Sequence, residues 1–173
     1  GVGLTAVEIG AALGARVIAV ARGPEKLQVC KDRGATITID SAEEDVVAKV
    51  KSLGGVDVVY DPVGGDPFVA ALKCCRPEAR YLVIGFASGD LPQIKANHLL
   101  VKNVDVLGFY WGGYMGFAPQ ILLNSLTDVF AMISKGQLNP HIGGSYDFDR
   151  ALEALADLKA RKSIGKLVVR GPV

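Results

Sequence analysis

The strongest constraint on this chain is a rhythm of short strands, apolar on both faces, alternating with helices that end at a glycine. A helix is predicted from Val2 to about Leu13, closed by Gly14, followed by the strand RVIAVA over Arg16–Ala21. Pro24 is a good first-turn residue, and a second helix runs from it to about Arg33, closed by Gly34. The strand TITI (Thr36–Ile39) comes next. Ser41 with Glu44 three residues on reads as a capping box for a helix reaching about Leu53. The strand VDVVY (Val56–Tyr60), a helix over about Asp66–Cys75 and the strand RYLVIG (Arg80–Gly85) complete the pattern. Strands apolar on both faces belong to a parallel sheet covered by helices. Strand-helix alternation with tight glycine turns predicts an α/β, doubly wound parallel sheet.

After Gly85 the rhythm changes. FASGDLPQIKANHLL is a long connection ending in a short helix, Ala96–Lys102, and VDVLGFY is a further strand. WGGYMGFAP reads as a glycine and aromatic loop. A helix over about Ala118–Lys135, closed by Gly136, leads to IGGSYDF, a helix over Asp149–Lys162 and a last strand, GKLVVR. Asp147 and Asp149 are expected to cap the helix that follows them.

Composition narrows the function classes. Half of the 173 residues are apolar and 21% are charged, which is rich for a monomer and suggests surface buried against a partner or against further chain. A net charge of +1 gives no reason to expect nucleic acid or an acidic membrane as partner. The apolar runs are strand-sized, so no membrane span is expected, and no signal peptide is visible. The three cysteines, Cys30, Cys74 and Cys75, have no metal-site spacing and read as free thiols in a reducing cytoplasm. His98 and His141 lie far apart, no histidine is spaced to make a triad with Ser88 and Asp90, and nothing supplies three zinc ligands. No catalytic residue and no metal ligand is therefore expected in this stretch.

In a doubly wound sheet the ligand lies outside the carboxyl ends of the strands, and the first glycine-rich turn offers free N–H groups and a positive helix end to a pyrophosphate. Gly1, Val2 and Gly3 fit the tail of that fingerprint, with Gly3 as its last glycine; the preceding strand and glycines are expected to lie outside this chain. An NAD-specific site carries an acid near the end of the next strand. Here Val20 and Ala21 stand in that place, and Arg22 and Lys26 follow. A carboxylate would repel a 2′-phosphate, whereas Arg22 and Lys26 attract it, which favours NADPH. DPVGG (Asp61–Gly65) and GFASG (Gly85–Gly89) follow two inner strands and let a flat cofactor approach the backbone.

Together, GVGLTAVEIGAALGARVIAVARGPEKL, GVDVVYDPVGGDPF, YLVIGFASGDLPQI and NHLLVKNVDVLGFYWGGY resemble the zinc-independent quinone oxidoreductase group of the medium-chain dehydrogenase/reductase superfamily. The likeness is collinear over nearly the whole chain. It implies a Rossmann-like nucleotide-binding lobe, residues 1–137, and a segment, residues 138–173, that returns to a GroES-like catalytic lobe not contained in this sequence. By the same resemblance Val2 offers backbone to the pyrophosphate, and Arg22 and Lys26 hold the adenosine 2′-phosphate. Ser41 stands where relatives often place a tyrosine. Pro62 and Val63 line the nucleotide path, and Ile84, Gly85 and Phe86 lie beside the nicotinamide ribose. Gly108, Phe109 and Tyr110 frame the carboxamide, and Arg161 matches a basic residue that some relatives bring to the cofactor.

The function expected is NADPH-dependent hydride transfer to a quinone or an activated alkene, with the chain as given inactive alone. The alternatives are a 2-enoyl thioester or enone reductase on the same scaffold, and a non-catalytic nucleotide-binding module. A methyltransferase with a similar sheet would leave Arg22 and Lys26 without a reason. The strand at 104–109 follows a long crossover, is apolar, and holds no proline or lysine, so it is expected at a sheet edge that pairs two copies into a homodimer. Trp111, Tyr110, Tyr114 and Phe117 form an aromatic cluster at that interface or at the edge of a substrate pocket.

Overall fold

The structure is a computed structural model and describes residues 1–172. It is an α/β chain whose elements alternate as expected, but whose strands form three separate ladders, two of two strands and one of three. Two compact units divide it: Gly1–Thr38 with the segment from Ala131 on, and Ile39–Phe130.

The first unit opens with α1 (Val2–Ala12), β1 (Ile18–Ala21), α2 (Pro24–Asp32) and the start of β2 (Ile37–Asp40). Ala19, Cys30 and Ala35 form its buried centre, with Leu4, Val7 and Val17 packed against them. Small residues at the centre let helix and strand approach closely. Its later part holds β6 (Ile142–Asp147), α8 (Ala151–Lys159) and β7 (Lys166–Arg170), with β6 and β7 parallel. IGGSYDF, given no element from sequence, is thus mostly strand. Asp147 does not cap the following turn with its side chain; its Oδ1 accepts from Arg170 Nη2 at 2.7 Å. The strand pairing of Asp147 with Arg170 outcompetes the local cap.

Glu8 ties this later part to α1. Its Oε1 accepts from the Asn139 backbone N–H at 2.6 Å and lies 3.5 Å from Arg33 Nη1. Arg33 in turn donates to the Asn139 carbonyl.

The second unit carries α3 (Val46–Ser52), β3 (Val56–Asp61), α4 (Gly65–Cys74), β4 (Cys75–Val83), α5 (Ala96–Lys102) and β5 (Asp105–Gly108). Then follow a 3-10 turn (Trp111–Gly113), α6 (Tyr114–Phe117) and α7 (Pro119–Ser134), which runs past the end of the unit. The aromatic loop expected at WGGYMGFAP is therefore short helical turns. The helix expected to begin at Ser41 does not start there. α3 begins a turn later, where Asp45 accepts from the Ala48 N–H, while Glu44 bonds the Asp40 N–H. β4 starts at Cys75 rather than Arg80, because α4 runs straight into it and the register slips between Val56 and Val58.

Both pairings in the β3-β4-β5 ladder are parallel. Val59, Tyr81 and Val106 share one row, and Asp61, Val83 and Gly108 share the row two residues on. One face is packed: Phe68 and Leu72 of α4 lie on Cys75, Ala79, Tyr81 and Val104, joined by Val59, Val83, Leu99 and Val106. The strands were expected to be buried on both faces. Instead Val58, Tyr60 and Leu107 are 46%, 41% and 42% exposed. The helices α4 and α5 supply apolar side chains to only one side of this ladder. β5 is the terminal strand of its ladder, over a shorter span than the 104–109 expected, with Val104 buried before it.

Candidate functional site

In the first unit Gly1, Val2 and Gly3 open α1, and Lys26 is close enough to act electrostatically on Gly1. Gly1 is its N-cap and no side chain caps the helix, so the first turn keeps its N–H groups for something other than a cap. A Cβ added to Gly3 would meet nothing within 4 Å, and its φ is ordinary, so nothing in the described chain requires glycine there. Lys26 lies half-buried one turn into α2, and its Nζ donates to the Arg161 carbonyl at 3.1 Å. Arg161 itself has a left-handed backbone, φ 57°. Arg22 is exposed immediately after β1. The structure also brings in Lys166, which no sequence pattern marked. Its Nζ lies 3.8 Å from where a Gly1 Cβ would stand. Lys166 and Lys26 both act electrostatically on the Gly1 position. The field at this helix start is positive, the sign an anion needs.

In the second unit the shared row Asp61–Val83–Gly108 puts the ends of three strands side by side. Pro62 and Val63, Ile84 to Phe86, and Phe109 and Tyr110 therefore leave the sheet at one carboxyl end. Backbone bonds clasp the first two turns together. Ile84 N–H donates to the Asp61 carbonyl at 2.9 Å, Ala87 N–H to Pro62 at 3.1 Å and Ser88 N–H to Val63 at 2.9 Å. Ser88 Oγ also donates to the Val63 carbonyl, at 2.8 Å, which gives this hydroxyl a structural task. Gly64 must be glycine: its φ is +70°, and a Cβ would stand 3.0 Å from Phe86 Cδ1 and 3.1 Å from the Asp90 carbonyl. Gly85 and Gly108 differ. Neither has a positive φ, a Gly85 Cβ would meet only the Pro62 carbonyl at an ordinary 3.5 Å, and a Gly108 Cβ would meet nothing. Glycine there leaves the backbone open at the strand ends, the room a flat cofactor needs to lie against it.

Phe86 and Phe109 are 43% and 42% exposed and Tyr110 is 80% exposed. Phe109 packs tilted against Tyr114, ring centroids 5.8 Å apart, and Tyr114 against Phe117 at 4.7 Å; of the four aromatics expected to cluster, only Tyr114 and Phe117 are paired by these ring contacts, and Phe109 joins them. Two surface cavities, one lined by Asp147, Phe148, Asp149 and Arg170 and the other by Val69, Leu72, His98 and Val101, include none of these strand-end residues.

One buried pair escaped the sequence. Asp61, at the end of β3, is buried, and its Oδ1 accepts from Val63 N–H at 2.8 Å and Gly64 N–H at 3.0 Å. Its Oδ2 accepts from the Tyr81 hydroxyl at 2.8 Å. Tyr81 is fully buried beneath Phe68, ring centroids 4.5 Å apart. Burial, then the bond to Asp61, pushes its hydroxyl far above the ordinary value of 10.0. The two residues are 20 apart in sequence. An alternation already visible in VDVVYD and RYLV could have placed both on one face, but not in adjacent rows.

A family model described as zinc-binding dehydrogenase matches residues 1–126. The chain belongs to that family. It is 41% identical to the quinone oxidoreductase-like protein 2 homolog of Nematostella vectensis, over 96% of this chain and 47% of that protein. A solved quinone oxidoreductase of Pseudomonas syringae pv. Tomato DC3000 superposes with a TM-score of 0.86 at 31% identity, covering 97% of this chain and 53% of that one. The Escherichia coli quinone oxidoreductase complexed with NADPH gives 0.85 at 27% identity, covering 98% and 54%. These relatives bear out the resemblance to the quinone oxidoreductase group and the Rossmann-like α/β fold. The chain spans about half the length of the relatives it matches. The family's description names zinc, but among the described residues no group of three or more His, Cys, Asp and Glu could hold a metal ion. No helix among them is long and apolar enough to cross a membrane.

Proposed function

We propose that this chain is the nucleotide-binding part of an NADPH-dependent oxidoreductase that reduces a quinone or an activated alkene. NADPH, when bound, supplies the hydride; the residues of this chain bind and orient it. In this reading Gly1, Val2 and Gly3 serve the pyrophosphate, and Arg22, Lys26 and Arg161 serve the adenosine phosphate. Pro62, Val63, Ile84, Gly85 and Phe86 are assigned to the nucleotide path, and Gly108, Phe109 and Tyr110 to the carboxamide. The observation that carries this reading is the open backbone at Gly85 and Gly108, at the ends of strands aligned in one register row. The bound NADPH in the Escherichia coli relative supports the choice of cofactor.

The same proposal places the catalytic wall in chain beyond this sequence, so residues 1–173 alone reduce nothing. Residues 138–173 form the segment that returns to that lobe, and the protein works without zinc, in the cytoplasm, as a homodimer through the strand edge at 104–109. A reductase of 2-enoyl thioesters on this scaffold differs only in the acceptor. The test is titration of the intact protein with NADPH and NADH. NADPH is expected to bind at least about tenfold more tightly, a difference of about 1.4 kcal/mol. Equal dissociation constants would overturn the cofactor assignment. Stoichiometric zinc in the purified intact protein, with activity lost to a chelator, would move it to the metal-dependent dehydrogenases.

A further inference from the structure

Asp61 is a buried polar side chain placed where a strand gives way to a turn. Every bond it accepts comes from the chain itself. Oδ1 takes the N–H groups of Val63 and Gly64, which bends the chain sharply after Pro62. Oδ2 takes the hydroxyl of Tyr81, a residue of the neighbouring strand held fully buried under Phe68. The backbone carbonyl of Asp61 receives the N–H of Ile84. One residue thus joins the turn 62–65 to the strand that leads into the turn 84–89.

We propose that Asp61 and Tyr81 form a clamp that positions these two turns for the nicotinamide half of the cofactor. The proposal rests on the nucleotide reading above. Neither residue touches the cofactor; both are positioning residues. Buried hydrogen bonds that satisfy every acceptor lower the freedom of the groups they join, and a preorganised site loses less on binding. The clamp works through acceptor geometry. Asparagine at position 61 keeps an oxygen for the Val63 and Gly64 N–H groups and can donate its amide to the Tyr81 oxygen. Alanine keeps neither bond.

The experiment measures two dissociation constants on the intact protein, for NADPH and for adenosine 2′,5′-bisphosphate, in wild type, Asp61→Ala and Asp61→Asn. Asp61→Ala is expected to weaken NADPH about tenfold or more and leave the adenosine probe unchanged, and Asp61→Asn to stay within about threefold of wild type for both. Equal loss for both probes would mean general damage to the fold and would overturn the clamp. So would NADPH binding that is unchanged in Asp61→Ala. If Asp61→Ala does not fold, Tyr81→Phe decides, because it keeps the buried ring and the Oδ1 bonds. It is expected to weaken NADPH about threefold with the adenosine probe unaffected, and no difference between the probes would overturn the proposal. Wild-type protein that binds neither nicotinamide cofactor refutes the nucleotide reading, and the clamp with it. Wild-type binding of NADPH that no variant alters refutes the clamp alone.

Discussion

Substituting Gly34 by alanine tests how closely α1 is held. Gly34 follows α2 with φ +97°, and a Cβ built there stands 2.5 Å from Ala11 Cβ, on the last turn of α1. Two costs add. A left-handed backbone with a side chain costs about 1–2 kcal/mol. Carbon atoms are most comfortable at about 3.5–4.0 Å, so α1 must give way by about 1.0–1.5 Å, at about 1–3 kcal/mol for overpacking. The sum, about 2–5 kcal/mol, is a large share of a domain's usual stability of about 5–15 kcal/mol. Gly14 is the control: its φ is +84°, but a Cβ there would meet nothing within 4 Å. Gly14→Ala pays the backbone cost alone, offset by about 0.4–1 kcal/mol from a stiffer unfolded chain. Urea unfolding at constant m-value measures the difference between the two variants, expected at about 1–3 kcal/mol. Adding Ala11→Gly to Gly34→Ala removes the clashing methyl and is expected to recover most of that difference, less about 1 kcal/mol of helix propensity. Gly34→Ala and Gly14→Ala within about 0.5 kcal/mol of each other, with no recovery in the double variant, would refute the reasoning.

Arg22→Ala with Lys26→Ala is expected to cost about 2–4 kcal/mol of the preference for NADPH over NADH, read by titration with both cofactors. Glu8→Ala leaves the Asn139 N–H and the Arg33 guanidinium without their shared acceptor, and calorimetry is expected to show a loss of about 1–3 kcal/mol. Burial pushes the Cys75 thiol from its ordinary 9.0 up to about 11. The folded protein keeps this proton where the unfolded chain loses it, so stability is complete below pH 9 and falls as pH rises toward about 11, by about 2–3 kcal/mol. Cys75→Ala is expected to flatten that part of the alkaline stability curve, and an unchanged slope would refute the assignment. Val106→Lys with Leu107→Pro places a charge and a missing donor in the terminal strand β5, and light scattering at micromolar concentration is expected to find monomers. A folded variant that still dimerises would place the interface elsewhere.

The alternation of helix and strand was legible because each element carries its own signal: β-branched runs, a first-turn Pro24, closing glycines at positions 14, 34 and 136. The turns after the strands, and the absence of an acid at Ala21, were legible for the same reason, since backbone turns and charge are local properties. Local signals also misled where two of them competed. Ser41 and Asp45 both suit a helix start, and the cap went to Asp45 because Glu44 was drawn back to the Asp40 N–H.

What the sequence determined by itself is the α/β class, the order of elements and the glycine-rich strand ends, all written within a few residues of one another. Only the tertiary structure decided which residues meet. Strand register put Asp61 diagonally beside Tyr81. The return of the chain brought Lys166 to Gly1 and Arg161 to Lys26. Glu8 was matched to Asn139 across 131 residues. A hydrogen bond between distant residues depends on ångström-scale placement of whole elements, and that placement is fixed by packing of many small apolar contacts that no single short stretch of sequence contains.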